Sequence, residues 1–295
     1  MHCMRFWERF SKITFNLFAR VYGKKIQVKS IESVLKNAVA MIDPESLKQM
    51  RSYVINQQTS EGGFPDRAGK CDIYYSLFGC FVTEAIDVKT INAPLKHYVN
   101  NVVRKNDLTG INLHCASILY AKLFGLETFP KELKKKVLTD LNQTGSKLPI
   151  YSSFLSMLTY YYLNDLKGIY KIIKSSKSSE HASEMPCPVT AANLVLLSLA
   201  RKPIAKTKER LMSFYRGNGG FTALHNTPAE DLLSTGVALY ALNYSESDIR
   251  LIKPDCLEYV DSLFHEGGFR STEPDVEIDI EYTFYGLLAL GSLNN

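Results

Sequence analysis

The 295-residue sequence lacks several features that would assign it to a class at once. It has no apolar run near the roughly 20 residues that a membrane-spanning helix requires. Its N-terminus also lacks the apolar core and small-residue cleavage site of a signal peptide. The net charge of +5 is spread along the chain, without the basic stripe typical of nucleic-acid binding. These absences favour a cytoplasmic protein that binds no nucleic acid.

Cysteines are few and far apart, and none forms a Cys-x-x-Cys pair. A zinc ribbon needs such closely spaced pairs, and a disulfide framework needs an oxidising compartment, so neither is indicated. We expect reduced and mostly buried thiols at the six positions Cys3, Cys71, Cys80, Cys115, Cys187 and Cys256.

Alternation of apolar and polar residues, the mark of a half-buried strand, is nearly absent as well. Residues 276–280 alternate, but their loop-like surroundings argue against a strand there. Apolar stretches instead recur at helical spacing, and a proline or a polar residue begins many of them. The sequence therefore predicts an all-α protein.

The first 25 residues form a separate segment with the pattern of a basic, aromatic amphipathic helix. Such a helix can lie in a membrane interface, which would make the protein peripheral to a membrane. Most amphipathic helices instead pack against their own domain. We predict the segment 1–25 in one of these two roles, followed by a single domain over 26–295.

The strongest signal is a unit that occurs three times. Each copy has a Gly-Gly-Phe turn, a polar loop, an aspartate and then an apolar helix, with a hydroxyl residue four positions after the aspartate. The Phe-to-Asp spacing is eight residues in the first copy and ten in the other two. The copies are Gly62-Gly63-Phe64 with Asp72 and Ser76, Gly219-Gly220-Phe221 with Asp231 and Thr235, and Gly267-Gly268-Phe269 with Asp279 and Thr283.

Apolar helices alternate with more polar ones along the chain. Six apolar and six polar helices predict an inner ring inside an outer ring, with a central cavity whose mouth is lined by the N-termini of the inner helices. Helix dipoles favour anions at such a mouth. The anchor residues of the apolar helices lie about 34 to 48 residues apart, as in paired-helix repeats: Ser76, Ala116, Ser153 or Ser156, Thr190, Thr235 and Thr283.

The Gly-Gly-Phe units resemble the repeat shared by protein prenyltransferase β subunits and squalene-type terpene cyclases. The resemblance spans most of residues 45–295. It implies an (α/α)6 toroid with an isoprenoid or another lipophilic molecule in its central cavity. Protein prenyltransferases require a partner subunit, so the resemblance leaves a partner subunit open here.

In the prenyltransferase branch, one loop reads GRxxKxxDxCYS, in which the Arg, Lys and Tyr hold the diphosphate. This chain has a similar loop over residues 67–76. The resemblance therefore implies diphosphate-binding roles for Arg67, Lys70 and Tyr75, and a diphosphate substrate would be compatible with Mg²⁺.

The zinc ligands of that branch are not matched. Tyr74 stands where the loop has its zinc-binding Cys, and Tyr282 stands where the last repeat has its His. Asp231 is followed by Leu233 where another Cys would be required. Zinc needs thiolate or imidazole ligands, so we expect no zinc.

In the cyclase branch, a DxDDT motif begins an inner helix, and its middle Asp protonates an alkene or epoxide. When the Thr of the motif is aligned with Thr283, Glu281 takes the position of the catalytic middle Asp, and Asp279 takes that of the first Asp. Close carboxylates raise one another's pKa, as a general acid requires. We therefore name Glu281 and Asp279 as catalytic candidates. The residues expected at the cavity mouth are Asp72, Tyr74, Asp231 and Tyr282.

The leading hypothesis is an isoprenoid-active enzyme that performs acid-initiated cyclisation or zinc-independent prenyl transfer on a diphosphate. Two alternatives stay open. Aspartates commonly cap helix N-termini, which would explain Asp72, Asp231 and Asp279 without any chemistry. The chain could also be a non-catalytic isoprenoid- or partner-binding protein that retains the toroid.

Overall fold

Helices dominate the chain, as the sequence predicts. A computed structural model describes residues 29–143, 150–175 and 185–294, so the predicted N-terminal segment 1–25 lies outside the described residues. Within these ranges there are thirteen helices: α1 Ile31–Val39, α2 Pro44–Gln57, α3 Ile73–Ala85, α4 Asn92–Lys105, α5 Gly110–Phe124, α6 Lys131–Gln143, α7 Ile150–Tyr162, α8 Leu166–Ser175, α9 Cys187–Leu199, α10 Ala205–Met212, α11 Leu232–Tyr244, α12 Lys253–Ser262 and α13 Ile280–Leu293.

The strands of the described ranges belong to the first and third Gly-Gly-Phe units and have two or three residues each. β1 Phe64–Pro65 pairs with β2 Cys71–Asp72, while β4 Gly268–Arg270 pairs with both β3 Phe264–His265 and β5 Ile278–Asp279, all antiparallel. The loop expected over 276–280 therefore contains a short strand, because pairing of Phe269 with Asp279 closes the unit. Strands this short leave the protein all-α.

The six apolar helices contact one another in chain order. α3 contacts α5, α5 contacts α7, α7 contacts α9, α9 contacts α11 and α11 contacts α13; α13 also contacts α3. Each of the polar helices α2, α4, α6, α8, α10 and α12 packs against an apolar helix adjacent to it in sequence. In α13, twelve of fourteen residues are buried, so this helix is covered on every side rather than along one stripe.

Helix α1, which carries no motif in the sequence, lies against the C-terminal ends of several apolar helices. The backbone of α13 at Gly291 approaches the carbonyl of Val34 so closely that an added Cβ would overlap it. The Tyr240 hydroxyl of α11 donates to the Lys29 carbonyl at 2.9 Å, just before α1 begins. Leu35 of α1 is fully buried. These contacts make α1 part of the core.

Aromatic side chains meet between apolar helices that are not neighbours in sequence. The ring of Phe81 on α3 lies 6.0 Å from that of Tyr162 on α7 and 5.8 Å from that of Phe284 on α13. The ammonium of Lys122 on α5 lies 4.8 Å from the centre of the Phe81 ring. These side chains therefore fill the space between α3, α5, α7 and α13 around Phe81.

The described cysteines are all free, with Cys71 half-buried and the others buried. This confirms the prediction of mostly buried thiols for these five positions. In the part of the chain that the structure describes, no helix has the length and hydropathy needed to cross a membrane.

Candidate functional site

The aspartate of each Gly-Gly-Phe unit caps the apolar helix that follows it. Asp72, Asp231 and Asp279 occupy the N-cap positions of α3, α11 and α13 with extended backbone. Their carboxylates accept backbone N–H bonds at 2.7 to 2.8 Å from Tyr74, Ser234 and Tyr282. The capping alternative is thus confirmed for all three residues, which leaves open whether any of them has a second role.

The hydroxyl residue of each unit also has a structural role. Its oxygen accepts the backbone N–H of the phenylalanine, at 2.9 Å for Ser76, 2.9 Å for Thr235 and 3.3 Å for Thr283. Each phenylalanine is almost fully buried. The repeated hydroxyl therefore anchors the turn to its own helix.

A tyrosine from a polar helix packs on the second glycine of each turn. The contacts pair Tyr98 with Gly63, Tyr259 with Gly220 and Tyr53 with Gly268. The sequence analysis missed these tyrosines, although a signal was present: all three precede a valine, as Tyr53-Val54, Tyr98-Val99 and Tyr259-Val260. The third contact places the last unit against α2, the first of the six polar helices.

Arg67 links the first unit to the third. Its Nε donates to Asp279 Oδ2 at 2.7 Å, and a terminal nitrogen donates to Asp275 Oδ2 at 2.9 Å. The guanidinium carbon lies 5.1 Å from the centre of the Tyr282 ring. One cation thus faces two carboxylates, so its charge is already matched within the protein.

The two carboxylates differ in pKa because their surroundings differ. Burial raises the pKa of Asp275, but hydrogen bonds from Ser271 and Arg67 outweigh it and lower that pKa to about 2. For Asp279, burial dominates and raises the pKa, although the Tyr282 N–H and Arg67 oppose it.

Glu281 lies in the first turn of α13 and is only 8% exposed. The Tyr74 hydroxyl donates to its Oε1 at 2.8 Å, and Tyr75 contributes a second hydrogen bond. Burial raises the pKa of Glu281, the neighbouring Asp279 raises it further, and the two tyrosines only partly oppose this. Among the described residues, no cation forms a salt bridge with Glu281. The net shift is upward although Arg67 also opposes it, so this site favours the protonated carboxyl more than water does.

The remaining candidates lie around this cluster without joining it. The side chain of Lys70 is exposed and forms no ion pair with the described residues, while its backbone N–H donates to Asp66. Asp231 caps the neighbouring helix α11, and burial raises its pKa. The structure thus brings together Arg67, Tyr74, Tyr75, Asp279, Glu281 and Tyr282.

The described residues contain no group of three or more His, Cys, Asp or Glu side chains arranged to hold a metal ion. The places of the prenyltransferase zinc ligands are occupied by Tyr74, Leu233 and Tyr282. Tyrosine and leucine do not form the thiolate and imidazole set that zinc prefers, so these positions do not fit zinc.

No model of a known protein family matches this chain, and no curated protein sequence matches it either.

The Arg67→Gln variant tests the link between the two units. We expect the pKa of Asp275 to rise from about 2 toward its ordinary 3.8, as measured by carboxyl-carbon NMR titration. A depressed folded-state pKa stabilises the fold above pH 3.8, and this contribution is lost as the pH falls toward 2. The variant should therefore be less stable at neutral pH and less sensitive to acid.

Lys70→Gln, which removes the same charge from the same loop, is the matched control and should leave the Asp275 titration unchanged. An equal shift in both variants would show that loop charge, rather than the Arg67 contact, sets the pKa.

Proposed function

We propose that this chain is an isoprenoid-active enzyme with an (α/α)6 toroid, in which Glu281 acts as general acid. Two contacts support a closed ring: α13 packs on α3, and Gly267 of the third turn lies against the Gln49 carbonyl of α2. The free and mostly buried thiols are compatible with a cytoplasmic location.

The observation that carries the proposal is the contrast between two neighbouring carboxyls. Asp279 is bonded to Arg67, whereas Glu281 is buried with tyrosine hydroxyls and without a salt bridge among the described residues. A general acid at neutral pH needs such a raised pKa. In the reaction, the Glu281 O–H bond breaks and its proton adds to one carbon of an alkene, whose π bond supplies the electrons. A second alkene of the chain attacks the carbocation at the other carbon to close a ring, and the final carbocation loses a proton to water. The Glu281 carboxylate left behind keeps the hydrogen bond from the Tyr74 hydroxyl.

Half-exposed apolar side chains near the starts of the apolar helices support a lipophilic substrate. They come from four different helices: Tyr74 of α3, Phe154 of α7, Leu233 of α11 and Tyr282 of α13. We infer that these side chains line the mouth of the toroid beside the acids Asp279 and Glu281. A lining of this kind suits a hydrocarbon chain.

A second candidate function is a non-catalytic isoprenoid- or partner-binding protein. The ion pairs of Arg67 with Asp275 and Asp279 favour this candidate, because a guanidinium already bound to two carboxylates binds a diphosphate poorly. In that case Glu281 and Asp279 only join the first and third units.

Product analysis after incubation with farnesyl diphosphate, geranylgeranyl diphosphate and a neutral polyene tests the proposal. We expect turnover by the parent chain and a decrease of at least about 100-fold in Glu281→Gln, which keeps the shape but cannot donate an acidic proton. Glu277→Gln, an exposed acid on the preceding loop, is the matched control and should retain the parent rate.

Turnover that persists in Glu281→Gln would remove the acid assignment. Saturable binding of these compounds by the parent chain without any product would support the non-catalytic alternative.

A further inference from the structure

The C-terminal ends of three apolar helices meet the start of α1 around a small cavity. Its wall includes Glu32 of α1 and four tyrosines, Tyr161 and Tyr162 of α7 with Tyr240 and Tyr244 of α11. The void measures about 40 Å³. Since one water needs roughly 10–15 Å³, the cavity has room for a few waters or for a small head group.

Glu32 brings an incompletely matched charge to this wall. Its Oε1 accepts hydrogen bonds from Lys122 Nζ at 2.8 Å and from the Tyr162 hydroxyl at 2.7 Å. Lys122 also pairs with Glu84 at 2.9 Å, so one ammonium serves two carboxylates. The other oxygen, Glu32 Oε2, is buried and has no hydrogen-bond partner among the described residues. An unmet buried acceptor is costly, and it adds to the negative potential of the Glu32 carboxylate that lines the cavity.

A second cation at the cavity already has partners. Lys29 also lines the cavity, but its ammonium donates to the Asn243 carbonyl at 2.8 Å and lies 3.5 Å from Glu246. Burial raises the pKa of Glu32, but Lys122 and Tyr162 outweigh it and hold that pKa below the usual value, so Glu32 stays ionised at neutral pH.

Helix dipoles add to the negative potential of the cavity. Tyr162, Leu199 and Tyr244 line it, and each is the last residue of its helix, α7, α9 or α11. No basic residue lies in the last turn of any of the three. A helix C-terminus carries roughly half a negative charge. Three such ends outnumber the N-terminal parts of α1 and of α8, from which Ile169 lines the cavity, so the local field favours a cation.

We propose that this cavity binds a small organic ammonium group. The positive charge of the ligand is attracted by the Glu32 carboxylate and by the tyrosine rings of the wall. The apolar side chains of Met157 and Leu158 cover its alkyl part. The cavity lies at the C-terminal ends of apolar helices, whereas Glu281 lies in the first turn of α13. Because the two sites are at different ends of these helices, they can be tested separately.

Titration of the full chain with methylammonium chloride, followed by amide NMR and by thermal unfolding, tests the proposal. Sodium chloride at equal ionic strength controls for salt, and methanol controls for the methyl group. We expect saturable shifts at the cavity residues and a higher unfolding temperature with methylammonium alone. Equal effects of sodium chloride or methanol would overturn the proposal.

Two variants locate the ligand. Glu32→Gln removes the charge but keeps the shape, and Tyr161→Leu removes one ring while keeping an apolar wall. We expect each to weaken methylammonium binding, at least about tenfold for Glu32→Gln. Glu258→Gln removes the same charge from an exposed position on α12 and should change the affinity less than about twofold, because exposed charges are screened. Unchanged binding in Glu32→Gln and Tyr161→Leu would place the ligand elsewhere.

Discussion

The Lys122→Met variant should unfold with a free energy about 3–5 kcal/mol lower than the parent chain at neutral pH, the usual cost of breaking a buried ion pair. The Lys122 side chain is 10% exposed and lies 2.8 Å from Glu32 and 2.9 Å from Glu84. Removing the ammonium leaves the Glu32 carboxylate, whose side chain is 19% exposed, largely buried and without its salt-bridge partner. Denaturant unfolding of both proteins measures the difference.

The double variant Lys122→Met, Glu32→Gln is the matched control. It should recover most of the lost stability because no buried charge is left unpaired. Acid provides a second control. In the parent chain the pKa of Glu32 lies below 4.5, so this pair's stabilisation is lost as the pH falls below that value. In Lys122→Met the pKa of Glu32 is raised instead, so the deficit should shrink as the pH falls.

A loss below about 1 kcal/mol, the range of exposed ion pairs, would contradict the buried position of this cluster. Failure of the double variant to recover would show that Lys122 acts through packing on Phe81 and Tyr162 rather than through charge.

Replacing Gly219 by alanine should destabilise the protein by about 2–5 kcal/mol, the sum of left-handed strain and overpacking. Gly219 has a φ of +95°, and a Cβ there would overlap the Asp255 carbonyl of α12. The other near atom is the Cβ of Tyr259, also fixed on α12, so no flexible side-chain end can move aside. The turn would have to leave α12, which thermal or denaturant unfolding would detect.

Gly217→Ala separates the two causes. Gly217 has a φ of +82° in the same turn, but nothing lies within 4 Å of an added Cβ. This variant should cost only the left-handed strain of about 1–2 kcal/mol. Equal losses in the two variants would show that the approach to α12 carries no cost.

The Gly-Gly-Phe units could be predicted from the sequence in detail because their geometry is local. Each aspartate caps the helix directly after it, and each hydroxyl bonds a phenylalanine N–H only 12 or 14 residues away. Spacing along the chain is enough to define contacts of this range. The starts of α3, α11 and α13 follow from it.

The charge pairs could not be predicted in the same way. The sequence predicts Arg67 as a diphosphate ligand and gives no sign of its pairing with two carboxylates. These partners, Asp275 and Asp279, lie 208 and 212 residues further along the chain. The pairing of Lys122 with Glu32 spans 90 residues and involves a helix without any motif. Packing of distant helices decides such contacts, and no local pattern encodes them.

By itself, the sequence determined an all-α protein with three capped repeat units and named the acids at their helix starts. Only the tertiary structure decided which of these acids faces a cation. Asp279 accepts a hydrogen bond from Arg67. Glu281, two residues later, is buried and accepts a hydrogen bond from the Tyr74 hydroxyl instead. The physical reason is that a carboxyl's pKa depends on burial and on charges within a few ångströms, which tertiary packing sets.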